Sequence, residues 1–472
     1  MSKSYIGRVF RDMIGLAVVS MLALPVRAET LADALAAAYI NSGLIQQNRA
    51  LLRAADEDVV VAAAKLRPIL QWSSTVSRSL SSGQAGANGT YRSADSTSTV
   101  ASAGLTAELL LYDFGVSELA VQVQKEAVLG TRQKLLSVEQ TVLIRAVEAF
   151  TNMRRDTEKV ALRRSNLSLI TEELRAAKDR FEVGEVTRTD VALAEARLAA
   201  SRSALAAAEG ALRVAAEEYR AAIGHVPKAL NGSNKVLKPV KDLDAAKSIA
   251  VRQHPDIKEI QHKVTMAELT LQQAQLAKKP TVKLSGSYGL TETLTSRAYG
   301  RSGEIKLQAT GLIYQGGQIP AFVRKSAANR DAARYGLNLA ALMVEQNVAT
   351  AYARLQVATA EKEASKLQIR AARVAFLGVR EEAALGARTT LDVLNAEQEL
   401  LDAENNMVSA LADEQIASYK LRSSMGRMTA DLLGLNVPKY DPEEYFSLQK
   451  NAPAVSEQGK KLDRLLKSLV KK

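Results

Sequence analysis

The chain has 472 residues, with 63 Lys plus Arg against 51 Asp plus Glu, three His and no Cys. The absence of cysteine excludes disulfides, thiolate catalysis, zinc–thiolate sites and a lipid carried on an N-terminal cysteine. A net charge of +12 would suit a nucleic-acid binder, but the basic residues are scattered rather than gathered in aromatic-flanked patches, which reads as a solvated basic surface.

At the N-terminus, Lys3, Arg8 and Arg11 precede an apolar run from Met13 to Leu24, followed by Val26-Arg27-Ala28. The run is too short for a membrane-spanning helix and has the layout of a secretory signal. Residues 1–28 are therefore predicted to be a signal peptide, with the mature chain starting at Glu29. No later stretch is apolar for long enough to cross a bilayer as a helix, so a membrane role falls to strands or to the surface.

After a helical stretch, a β-hairpin is predicted over about 68–112. Leu70, Trp72 and Val76 share one face of its first strand, and Ala101, Ala103, Leu105, Ala107, Leu109 and Leu111 share one face of the second. The Ser/Gly-rich segment from Ser81 to Ser98 reads as a surface loop between them. No proline occurs between Pro68 and Pro227, or between Pro320 and Pro438, and only those windows permit long helices. Helices are predicted there over about 116–182 and 188–223, the first on the order of 100 Å long at ~1.5 Å per residue. The second carries a seven-residue seam of Val191, Leu198, Leu205, Leu212 and Tyr219, with Ala194, Ser201, Ala208, Ala215 and Ala222 three residues behind each. Large residues alternating with small ones at that spacing imply close, supercoiled helix packing.

The second half repeats the first. Gly184 falls on Gly386, Asp190-Val191 on Asp392-Val393, Ala194-Glu195 on Ala396-Glu397, Ala149-Phe150 on Ala351-Tyr352, and Leu111-Tyr112 on Ile313-Tyr314. Its hairpin is predicted over about 280–314, with Val282, Leu284, Gly286, Tyr288 and Leu290 on one face of the first strand. Ile305, Leu307, Ala309, Gly311 and Ile313 share a face of the second. Its long helices are expected over about 318–385 and 389–425, with the seam recurring as Val393, Leu400 and Met407 beside Ala396, Ala403, Ala410 and Ala417. The chain thus divides into a first repeat, 29–236, a second repeat, 237–436, and a charged C-terminal tail, 437–472.

Strands of about ten residues with one apolar and one polar face fit an outer-membrane barrel, lipid outside and water inside. An antiparallel sheet over a soluble core is the alternative, but no apolar helix is left over to cover such a sheet. Four strands cannot close a barrel, so several chains must share one. Trp72, Tyr112, Tyr288 and Tyr314 are candidate membrane-interface anchors.

Three segments carry a family resemblance: Val183-Gly184 through Thr189-Asp190-Val191, Leu385-Gly386-Ala387-Arg388-Thr389 through Asp392-Val393-Leu394, and Ile313-Tyr314-Gln315-Gly316-Gly317. They resemble the TolC family of outer-membrane efflux proteins, and the likeness spans nearly the whole mature chain. It implies an α+β membrane protein with an internal repeat, in which three identical protomers share a twelve-stranded transmembrane β-barrel and a long coiled-coil α-helical barrel extends into the periplasm. It also implies a passive exit duct for multidrug efflux or type I protein secretion. The implied partners are a periplasmic adaptor protein, an inner-membrane transporter of the ABC, RND or MFS type, and outer-membrane lipid, without nucleic acid or a cofactor.

By the same resemblance a gate lies at the periplasmic end. Asp392 takes the first acidic position of the constriction, and Asn395 stands where a second Asp is expected. Arg388, Thr189 and Asp190 fall in a latch whose tyrosine is replaced by Ala383. This implies a less acidic and more loosely latched gate. Gly184 and Gly386 mark the turn tips that would dock the adaptor. Read as local structure alone, the Thr-x-x-Asp clusters cap helices and the glycines end them.

Two rival classes fit the sequence less well. An enzyme has little support: His225, His254 and His262 make no convincing metal cage, and there is neither a Gly-x-Ser-x-Gly elbow nor a phosphate-binding Gly-Lys loop. A periplasmic or surface coiled-coil structural protein without a channel explains the heptads, but not the paired strands before each helical pair.

Overall fold

A computed structural model describes residues 28–87, 90–227, 229–230, 236–237, 240–438 and 440–441. The predicted signal peptide, except Ala28, and the charged tail beyond Asp441 lie outside the described residues. In chain order the elements are α1 (Leu31–Asn41), α2 (Gly43–Ala64), β1 (Ile69–Ala87), β2 (Thr90–Tyr112), α3 (Val116–Glu182), α4 (Arg188–Ile223), α5 (Leu243–Gln253), α6 (Pro255–Leu276), β3 (Thr281–Thr293), β4 (Ala298–Thr310), α7 (Gln318–Ala384), α8 (Thr390–Ser424) and α9 (Ala430–Leu433). Helices α3 and α7 each run for 67 residues.

The chain divides into two units. One holds the described residues of 46–137 and 252–343, including all four strands, with 440–441. Its sheet is antiparallel in the order β1-β2-β3-β4, so β2 and β3 join the hairpins of the two repeats. The register explains why alternation in sequence becomes two-sidedness in space. Leu70 pairs with Ala107, Ala107 with Gly286, and Gly286 with Ile305, while Trp72, Leu105 and Tyr288 form the adjoining row. Because side chains alternate between faces along a strand, these apolar positions all lie on one face. Glu108, Lys283, Ser285, Glu304 and Lys306 share the other, where Lys283 Nζ donates to Glu108 at 2.6 Å. The apolar face is bare: Trp72 is 78% and Ile305 85% exposed. In the same unit, Leu52 and Val59 of α2 pack on Val128 of α3, and Gln273 of α6 donates to the Val116 carbonyl at 3.0 Å.

Two details depart from the reading of the sequence. Of the segment predicted as a loop from Ser81 to Ser98, residues 81–87 and 90–98 are strand, paired as far as Ala87↔Thr90. Serines facing one another across the hairpin extend the ladder, as in the 2.7 Å contact between the Ser81 and Ser96 hydroxyls. Conversely, β4 stops at Thr310 rather than Ile313. The ladder ends at Thr281↔Thr310 because the next partner is Pro280, which has no N–H to give. Gly311 lies against that ring, where a Cβ would sit 3.2 Å from the Pro280 Cβ.

The other unit holds residues 28–45 together with the described residues of 138–251 and 344–438. The predicted seams lie on its inner side: Ala194, Leu198, Ser201, Ala215 and Tyr219 of α4 are buried, as are Val393, Ala403, Ala410 and Ala417 of α8. Ile170, Leu174 and Ala177 of α3 form one cluster with Ala194 and Leu198 of α4 and Leu394 of α8. Burying a leucine such as Leu394 contributes about 2 kcal/mol, and here it ties the second repeat to the first.

Candidate functional site

Both helix–turn–helix tips are built alike. At the end of α3, Gly184 has φ +81°, its N–H donates to the Phe181 carbonyl at 3.1 Å, and Glu185 N–H donates to the Arg180 carbonyl at 2.9 Å. At the end of α7, Gly386 has φ +80°, with Gly386 N–H to Ala383 at 3.1 Å and Ala387 N–H to Glu382 at 2.9 Å. These paired bonds use two otherwise unpaired carbonyls at each helix end, and the left-handed backbone they need favours glycine.

Each following helix opens with a capping box. Asp190 Oδ2 accepts from the Thr187 N–H at 2.9 Å and the Thr187 hydroxyl at 2.7 Å, while Asp190 N–H donates back to Thr187 Oγ1 at 3.3 Å. Thr389 and Asp392 repeat this at 3.0, 2.8 and 3.2 Å. The carboxyls therefore stabilise the helix starts, accepting donors that would lack partners. Hydrogen bonds from Thr187 hold the Asp190 carboxyl below its ordinary range, and those of Thr389, backbone first, do the same for Asp392.

The remaining gate candidates do not converge within one chain. Arg388 Nε donates to Glu382 at 2.8 Å, across its own turn, rather than to Asp190; this pair raises the Arg388 pKa further. Thr189 is exposed in the first turn of α4. Asn395 reaches across to the first repeat, where its Oδ1 accepts from Arg197 Nη2 at 2.9 Å.

Beside that contact lies a group that sequence reasoning missed. Glu397 is 4% exposed. Its Oε1 accepts from Asn166 Nδ2 of α3 at 2.7 Å, and Asn166 Oδ1 accepts from the Ser201 hydroxyl of α4 at 2.9 Å. Its Oε2 is buried without a hydrogen bond. Burial raises the Glu397 pKa to about 7; the Asn166 bond opposes the rise, Glu173 adds to it and Arg197 opposes it. One signal was available: Ser201 puts a hydroxyl in a seam whose second-repeat counterpart is Ala403. Arg163, Asn166, Arg197, Ser201, Glu397 and Gln398 line a cavity of about 190 Å³ there.

The histidines serve local structure. His262 bonds Glu126 at 2.8 Å, His225 lies 3.2 Å from Glu29, and His254 accepts from Asp256 N–H at the start of α6. Among the described residues no group of three or more His, Cys, Asp or Glu could hold a metal ion, and no helix is long and apolar enough to cross a membrane.

Comparison with known proteins agrees with this layout. Residues 34–225 and 247–427 match the family described as Outer membrane efflux protein. The chain is 33% identical over 425 residues to the outer membrane efflux protein BepC of Brucella suis biovar 1 (strain 1330), covering 90% of this chain and 91% of BepC. It is 24% identical over 312 residues to the alkaline protease secretion protein AprF of Pseudomonas aeruginosa, covering 63% and 65%. Among solved structures, the Campylobacter jejuni CmeC outer membrane channel superposes with a TM-score of 0.73 at 16% identity, covering 90% of each chain.

Proposed function

This chain belongs to the outer membrane efflux protein family, and from that membership we propose that three copies form the exit duct of a tripartite efflux system. The carrying observation is the sheet: the register brings apolar residues of all four strands to one bare face, and β1 and β4 both end the sheet with an unpaired edge. An exposed edge invites another chain, and a closed barrel is the form in which strands satisfy their backbone within lipid. A second observation supports identical copies as the neighbours. Helix α3 exposes a single large apolar side chain, Phe181, whereas α7 leaves Tyr335, Leu339, Leu342 and Met343 exposed on successive turns within the unit that holds the sheet. So extensive an apolar strip on one repeat fits a partner surface.

In this reading the barrel anchors the duct in the outer membrane and the long helices extend into the periplasm. The tips at Gly184 and Gly386 meet a periplasmic adaptor, and Asp392, Asn395, Arg388, Thr189 and Asp190 surround the periplasmic constriction. The duct itself is a passive path, and an inner-membrane transporter of the ABC, RND or MFS type supplies the energy. The BepC likeness favours efflux as the task; the weaker AprF likeness makes protein secretion the second reading.

The test combines three measurements on the full-length protein. Membrane fractionation places it in a detergent-extracted outer-membrane fraction, chemical cross-linking of the purified protein stops at three copies, and planar bilayers containing it carry single-channel currents. A protein released from membranes without detergent would instead be the coiled-coil stalk. Deletion scored for drug sensitivity and for the secretome separates efflux from protein secretion.

A further inference from the structure

The seam around Glu397 brings an uncommitted buried oxygen, a cavity and a bonded arginine together. From α3 it is faced by Arg163, Asn166 and Glu173, from α4 by Arg197 and Ser201, and on α8 Gln398 lies beside it. Arg197 spends its bond on Asn395, two residues before Glu397 on the same helix, while Arg197 and Glu397 line the same cavity. Glu397 Oε2 has no hydrogen bond.

We propose that Arg197 has two partners and that the proton on Glu397 selects between them: with Glu397 neutral Arg197 holds Asn395, and with Glu397 ionised its guanidinium turns through the cavity to the free Oε2 and releases Asn395. The proton rests on Oε2, leaving Oε1 to accept from Asn166 in both states. An ionised carboxylate buried with one hydrogen bond is costly, and a nearby guanidinium is the group best able to offset that cost. The cavity gives the side chain room to turn. Burial that raises Glu397 to about 7 sets the direction: Arg197 stays on Asn395 below that pH and moves to Glu397 above it. Both positions bind the second repeat to the first, but only one fixes the Asn395 side chain.

The test is a set of double-mutant cycles on the full-length protein in detergent, read as thermal midpoints at pH 5.5 and pH 8.5. Arg197→Gln and Asn395→Ala should be non-additive by a few degrees at pH 5.5 and additive at pH 8.5. Arg197→Gln and Glu397→Gln should show the reverse. With Glu397→Gln as the background, the Arg197–Asn395 coupling should persist at both pH values. Equal coupling of both pairs at the two pH values overturns the switch, as does loss of the Arg197–Asn395 coupling at pH 8.5 in the Glu397→Gln background. Asn395 is a constriction candidate in the proposed duct, but these cycles read stability and not current, so failure of one reading is distinguishable from failure of the other.

Discussion

Glu195 and Glu397 occupy equivalent positions of the two repeats and sit in opposite environments. Glu195 is exposed and pairs with Lys178 at 2.9 Å, an arrangement of small net value in water. Glu397 is buried against Asn166. Duplication copied the residue, and packing of α8 onto the α3–α4 pair gave the second copy a different chemistry.

Stability should follow that difference. The folded-state pKa of Glu397, about 7, lies above the ordinary 4.5, so the native state holds the proton more tightly than the unfolded chain. The stabilisation is complete below pH 4.5 and is lost as pH rises through about 7. Glu397→Gln should match the wild type near pH 4.5 and exceed it at pH 8 by up to about 3 kcal/mol. Thermal unfolding across that range checks this; parallel curves for the two proteins would contradict it.

The capping boxes predict a local loss. Thr187→Ala or Thr389→Ala should each cost about 1 kcal/mol and fray the first turn of α4 or α8. Hydrogen exchange should rise within that turn alone, with Thr→Ser retaining protection.

At the turn tips, Gly184→Ala and Gly386→Ala meet open space, since nothing lies within 4 Å of the added Cβ. Their cost is then conformational, about 1 kcal/mol for a left-handed backbone. Asn, which tolerates that backbone, should cost less than Ala at either glycine, and unfolding midpoints decide the ranking.

For the sheet, Ile305→Lys places a charge on the apolar face and should destabilise the assembled protein by about 2–4 kcal/mol if it lies at mid-membrane depth. Glu304→Lys, one residue away on the polar face, should be tolerated. Outer-membrane abundance and oligomer survival on mild-detergent gels read both.

At the proposed constriction, Arg388→Ser frees the Glu382 carboxylate and should raise single-channel conductance in planar bilayers. Unchanged currents would remove Arg388 from the gate.

The parts of this chain that were legible in sequence are those where one residue type carries a local rule. Alternation gave the strand faces, the proline-free windows gave the long helices, and Gly184 with Thr187 and Asp190 gave a helix end and the next helix start. What stayed hidden depends on which helix lies opposite. Asn395, expected at a constriction, bonds Arg197 in the other repeat, and the different fates of Glu195 and Glu397 are marked in sequence only by Ser201, whose counterpart in the second repeat is Ala403. The ends of the ladders were hidden too, because serine pairs such as Ser81–Ser96 extend one hairpin and Pro280 ends the other.

The open edges of β1 and β4 have a genetic consequence. In the proposed barrel every copy supplies half of two joints, so a copy whose β4 cannot pair would spoil each assembly that it enters. Expressed at equal level with the intact gene and mixing at random, it should leave roughly one assembly in eight free of defective copies, and the mutant allele should behave as dominant over the wild type.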